Sequence, residues 1–313
     1  MSDIRGAALA PTDERPYVSM VASVPHATGD PLEGSFEKGV SSVKRIRIGA
    51  SDHLAARPLL FGLLEDRPAG VELVYGEPGM LALWLERGDV DAALIPSIEF
   101  LRGVGECAVH GPALVARGRT MGLLLVAQQP LTLVRRIAVE EFCRTPLVAL
   151  RAVLDRLFGV LPDLCVVKQR PLDTANWRED FDAVLLTDDE GLRYVCQGSR
   201  PGETSYDVGA MWQSLYTCPL VMSLWAHNGG AVGREVESMI VSSRDRGVGN
   251  LKALSEKVAR TTSHDAEFLH QYYAAAWSYD LGIAEEEGLR VLQDVACGYQ
   301  LLQGRRAEKV VTT

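Results

Sequence analysis

The residues of this 313-residue chain with the most obvious chemistry sit in turns that follow apolar runs. His53 lies in the turn Ser51–Arg57, between the alternating segment Lys44–Ala50 and a helix whose first position suits Pro58. An imidazole there could donate to a ligand or act as a base. Ser97 follows Pro96 at the end of the apolar run Asp89–Pro96, and Thr145-Pro146 opens another helix with Arg144 beside it. A helix start leaves backbone N–H groups and a positive dipole end free, so Arg144 and Thr145 together can hold a carboxylate. Three such ends facing one cleft would make an anion clamp. Asp188-Asp189-Glu190 could suggest a metal, but the run reads better as an exposed turn or a helix N-terminus.

Other constellations carry less. His264-Asp265 are adjacent and no G-x-S-x-G elbow exists, so Ser/His/Asp hydrolysis is set aside. Gly247-Val248-Gly249 lacks the third glycine of a dinucleotide fingerprint. Six scattered cysteines, with no C-x-x-C and no histidine at zinc-finger spacing, fit a reducing, cytoplasmic compartment. Lys+Arg at 32 against Asp+Glu at 41 gives a net charge of -9, the wrong sign for a nucleic-acid surface. The acidity is expected mostly on the exterior, which leaves a cleft able to hold a small anion. Apolar stretches such as Gly122–Ala127 fall far short of the roughly 18 residues a membrane span needs. A secretory signal is not expected either, because no basic start leads into an apolar stretch.

The elements that must position these residues alternate between strand and helix. Composition is globular, with 47% hydrophobic and 23% charged residues. Residues 1–43, rich in Pro, Gly and Ser, read as a flexible extension. Strands are expected at 44–50, 71–75, 89–96 and 121–127, with helices opening at Pro58, Pro78 and Ser97. A second block has strands at 136–139, 165–167 and 182–186 and a helix over 146–157. Beyond the run 220–225 the pattern predicts helices alone, at 234–244, 251–260, 265–279 and 284–302. This is an α/β chain of two lobes with a helical C-terminal region. Lobe I takes 44–127 plus 221–313, and lobe II is the inserted segment 128–220. Ligands of such molecules bind between the lobes, at the C-terminal ends of the strands.

Several segments in order resemble one family. They are Arg47-Ile48-Gly49 with His53-Leu54-Ala55-Ala56-Arg57-Pro58-Leu59, the run Gly88–Leu101, Arg144-Thr145, Asp182–Leu186, Tyr206-Asp207-Val208-Gly209 and Tyr279-Asp280-Leu281-Gly282. The chain resembles the chorismate dehydratases of the futalosine route to menaquinone, which have the type 2 periplasmic-binding-protein fold. The resemblance implies a lyase that converts chorismate, a small dianion, to 3-[(1-carboxyvinyl)oxy]benzoate. It implies no cofactor and no metal. It places substrate-binding positions at Ala55, Ser97, Gly122, Cys143, Arg144, Thr145 and Asp189, while His53, from its own place in the first turn, is the candidate catalytic group.

The same resemblance marks departures. Ala55 stands where the family has a critical asparagine, and Gly122 where it has a serine facing the ligand. Cys143 and Pro146 replace two serines around Arg144-Thr145, and Asp188-Asp189 stands for a Gly-Asp pair. Two functions follow: a divergent dehydratase in which His53 replaces the missing polar group, or a catalytically degenerate paralogue that binds a small anion or partners an active copy.

Overall fold

The computed structural model describes residues 45–168 and 177–302; the extension expected over 1–43 lies outside them. Strand β1 (Ile46–Ala50) forms because Ile46 and Ile48 turn inward while Arg47 turns out. It pairs in parallel with β2 (Val71–Tyr75) and β3 (Ala92–Pro96). The crossovers are right for parallel strands, each carrying a helix: α1 (Arg57–Glu65), with Pro58 in its first turn, and α2 (Pro78–Arg87), which ends on Gly88 in the left-handed conformation. A short helix, α3 (Ser97–Arg102), leads to β4 (Cys107–Ala116).

The chain then crosses to a second sheet. Strand β5 (Leu124–Ala127) pairs antiparallel with later strands of that sheet, so the crossing falls between Ala116 and Leu124, ahead of the boundary expected at 127. Asp207 determines where the strand begins. Its carboxylate accepts from the N–H of Thr120 and Met121 at 2.8 and 2.9 Å, and pins the turn before the strand. The sheet continues through β6 (Arg136–Glu140), helix α4 (Thr145–Phe158), β7 (Asp163–Val167), the single turn α5 (Trp177–Asp180), β8 (Ala183–Leu186), α6 (Asp188–Gln197), β9 (Thr204–Asp207) and α7 (Val208–Tyr216). Its strand order is β7-β6-β8-β5-β9.

Strand β10 (Leu220–His227), buried along its whole length, returns to the first sheet and lies antiparallel between β3 and β4. Helices α8 (Gly230–Val248), α9 (Leu251–Ala259) and α10 (Ala266–Gln271) follow, then a π-helical turn, Tyr272–Ala276. Residues Ser278–Asp280 form β11 rather than the end of a helix, and α11 (Ile283–Gly298) closes the described chain. The first sheet has the order β11-β4-β10-β3-β1-β2. Strands β4, β9 and β11 escape the sequence pattern for local reasons. β4 carries Gly111 at φ 99° and bulges against β10, β9 is polar, and β11 is three residues long.

Candidate functional site

Five parallel strands end at the junction of the two sheets, and their C-terminal turns supply its side chains. β1 delivers His53, β2 Glu77, β3 Ser97, β6 Glu140 and Arg144, and β8 Asp188 and Asp189. The lobes meet here closely. Gly79, in the first turn of α2, packs so tightly on Phe142 that a Cβ would lie 2.9 Å from the Phe142 carbonyl oxygen. The space left between His53, Glu77, Glu140 and Thr187–Glu190 is about that of one water molecule. A more open depression on α8, lined by His110, Arg234, Glu237 and Asn250, shares no residue with this junction.

His53 is the centre of the charge arrangement. Its Nε2 lies 3.1 Å from Glu77 Oε2 and its Nδ1 3.3 Å from Asp188 Oδ2, with only 15% of the side chain exposed. Burial pushes the imidazole toward neutrality, but Asp188 and Glu77 outweigh it and raise its pKa well above the ordinary value. The group is therefore a proton donor clamped between lobes, and the base that the sequence allowed is not available while both carboxylates hold it. Asp188 itself has φ 51°, a left-handed backbone that aspartate tolerates at some cost.

At two of the three helix ends expected to form an anion clamp, an N–H is taken by the protein's own groups. Leu54 N–H, at the start of the 3₁₀ turn Leu54–Ala56, donates to Asp189 Oδ1 at 2.8 Å. Ile98 N–H, at the start of α3, donates to Thr145 Oγ1 at 3.3 Å, so Thr145 caps the opposite lobe's helix rather than its own. Arg144 Nε is 3.4 Å from Glu99 Oε1, and Glu99 also pairs with Arg102. Most described acidic side chains are exposed, as expected, but Glu99 and Glu190 are buried, and Glu77, Glu140, Asp188 and Asp189 line the same junction. Asp188-Asp189-Glu190 is a helix start, as one of its two readings had it, but a largely sheltered one facing the other lobe.

The remaining expected positions divide. Ser97 is fully buried, and its hydroxyl finds no hydrogen-bond partner among the described residues. Ala55 is also fully buried, packed into the core. Cys143 is buried, and burial, with Asp188 and Glu140 nearby, lifts its thiol pKa well above the ordinary range, so it is an inert neutral group. Gly122 lies under α6, where a Cβ would come 3.1 Å from the Asp188 carbonyl oxygen and 3.3 Å from the Tyr272 hydroxyl.

A family model described as menaquinone biosynthesis matches residues 46–297. The chain belongs to that family. Among solved structures it is similar to protein AF1704 from Archaeoglobus fulgidus, with TM-score 0.67 and 16% identity over 83% of this chain and 99% of that one. It is also similar to the periplasmic aliphatic sulphonate binding protein SsuA from Escherichia coli, with TM-score 0.57 and 18% identity over 86% of this chain and 92% of that one. The alkanesulfonate-binding SsuA from Xanthomonas axonopodis, bound to MOPS, gives TM-score 0.56 and 17% identity over 83% and 95%. These likenesses establish the periplasmic-binding-protein-like fold. In this menaquinone-biosynthesis family member, no helix among the described residues is long and apolar enough to cross a membrane.

The sequence pattern does not single out Glu77, Glu140 or Tyr272. The first two were findable, since each stands at or just beyond the C-terminal end of a strand where ligands bind. Tyr272 gave no signal, because only the π-helical turn brings it to the junction.

Proposed function

We propose that this chain is a lyase of the menaquinone-biosynthesis family that removes water from chorismate to give 3-[(1-carboxyvinyl)oxy]benzoate. The observation that carries this reading is the His53–Asp188 pair, a proton donor 3.3 Å from a carboxylate at the junction of the lobes. Dehydration needs both: one group to protonate the departing ring hydroxyl and one to accept the ring proton. The protonated imidazole gives its proton to the leaving hydroxide, which departs as water. The Asp188 carboxylate takes the ring proton and returns it to His53, so the pair ends as it began. The ring becomes aromatic, which favours the products, and the protein's main task is to orient the dianion and exclude bulk water. When the lobes part, Leu54 N–H and Ile98 N–H pass from Asp189 and Thr145 to the substrate carboxylates, with Arg144 beside them. Six unpaired cysteines support a cytoplasmic setting for this activity.

One observation favours a second reading. Asp189 already places a carboxylate on Leu54 N–H, and neither Ala55 nor Gly122 offers a polar side chain. A chain built this way fits a non-catalytic small-anion binder, as the SsuA proteins of similar fold are named sulphonate-binding, or a partner of an active paralogue. Purified protein mixed with chorismate decides between them. The lyase reading expects the enolpyruvyl benzoate by chromatography; a chorismate-dependent thermal shift with no product at high protein concentration would establish the second reading instead.

A further inference from the structure

Two tyrosine hydroxyls at the junction have no account in the fold. Tyr272 and Tyr273 are fully buried, and neither hydroxyl has a hydrogen-bond partner among the described residues. A buried hydroxyl left without a partner is costly, so a protein that keeps one at a cleft is expected to use it. Tyr272 is the better placed. Its hydroxyl sits 3.3 Å from the point where a Cβ of residue 122 would begin, so glycine at 122 is what admits it. The same point is 3.1 Å from the Asp188 backbone carbonyl oxygen, which puts the hydroxyl near the start of α6.

The chain holds this ring deliberately. Tyr272 opens the π-helical turn, an irregularity that costs helical regularity and recurs at functional sites. Trp277 meets the ring edge-on at 6.2 Å between centroids, and Tyr273 lies tilted at 5.7 Å. Burial, reinforced by the charges of Asp188 and Asp189, holds the phenol pKa well above its ordinary value. Trp277 offsets this slightly without reaching hydrogen-bond geometry. The hydroxyl is therefore always protonated, and among carboxylates it can act as a donor to an oxygen that arrives between the lobes.

We infer that Tyr272 donates its hydroxyl hydrogen bond to a substrate oxygen, supplying at the lobe junction the polar contact that Ala55 and Gly122 cannot. This assignment rests on the dehydratase reading above and adds a ligand-binding residue to it. Tyr272→Phe removes the hydroxyl and little else. Loss of one positioned donor typically costs 10²–10³-fold, so kcat/KM for chorismate should fall by about 10²-fold, with an unchanged pH profile because His53 and Asp188 are untouched. The melting temperature should not fall, since no protein hydrogen bond is lost; a structural role would lower it.

The double variant Tyr272→Phe with Gly122→Ser returns a hydroxyl to the same place and should recover part of the loss. Where the wild-type protein binds chorismate without turning it over, the same comparison is made on its dissociation constant. Equal turnover or affinity in wild type and Tyr272→Phe would overturn the assignment and leave the dehydratase reading standing. Wild-type protein that neither binds nor converts chorismate would overturn that reading, and the assignment with it.

Discussion

The two sheets repeat one arrangement and differ in what their strand ends offer. In each, a central strand, β1 or β6, runs between two parallel neighbours, and the next strand along, β10 or β5, is antiparallel. The turns after β1 and β3 present backbone donors, Leu54 N–H and Ile98 N–H. The turns after β6 and β8 present oxygen acceptors, Thr145 Oγ1 and the carboxylates of Asp188 and Asp189. At these two contacts one architecture thus yields donors in one lobe and acceptors in the other, while the Arg144–Glu99 pair runs the opposite way. Here the donors of one lobe are turned to the protein's own closure, and under the proposed reading a ligand carboxylate would compete with Asp189 for Leu54 N–H.

The sharpest way to break this comparison is to displace the acceptor lobe's helix. Gly191 in α6 packs on Gly122, where a Cβ would fall 2.2 Å from the Gly122 carbonyl oxygen. Gly191→Ala therefore forces α6 away from its seat, at a cost of about 3 kcal/mol by the scale of overpacked cores. Chemical denaturation should report that loss. If stability is unchanged, α6 is not seated against Gly122.

Asp189→Ala is the next test, with an effect on both stability and binding. Leu54 N–H loses its partner, which costs about 2 kcal/mol when a buried donor is left unmet. The same change vacates a carboxylate position, so affinity for chorismate should rise, while Asp189→Asn, which keeps an acceptor, should recover most of the stability. A fall in chorismate affinity in Asp189→Ala would show that Asp189 helps the ligand rather than competing with it.

How much of this contrast could be read in the sequence depends on the range of the interactions. His53, Ser97, Arg144 and Thr145 were legible because each follows an apolar run and precedes a helix, a signal contained in about ten residues. The parallel strands β1, β2, β3 and β8 were legible for the same reason. What was not legible is which partner each helix end takes: Asp189 is 135 positions from Leu54, and Thr145 is 47 from Ile98. Local pattern cannot distinguish a helix start waiting for a ligand from one satisfied by the other lobe. The acidic run 188–190 shows the same limit, since its charges suggest solvent until His53 is brought against it.

A smaller effect should follow from pH. The His53 pKa is raised in the folded protein, so the clamp adds stability fully below the unfolded value of about 6.5 and loses it as pH rises through the folded value. The difference in melting temperature between wild type and Asp188→Asn should therefore be largest in mild acid and shrink in alkali. A difference that grows with pH would mean that the imidazole is neutral and that the junction is held by other contacts.

Thr145→Val gives the finest resolution, because it keeps the shape of the acceptor lobe and deletes one neutral acceptor. Ile98 N–H then has no bond across the junction, at a cost of about 1 kcal/mol for a single uncharged hydrogen bond. Since Thr145 is fully buried, water cannot readily replace it. Amide exchange at Ile98 should accelerate while exchange at Leu54, whose acceptor is Asp189, stays as it was. Acceleration at both would mean that the two bonds open as one movement of the lobes, and the donor–acceptor contrast would then describe a single hinge rather than two separate contacts.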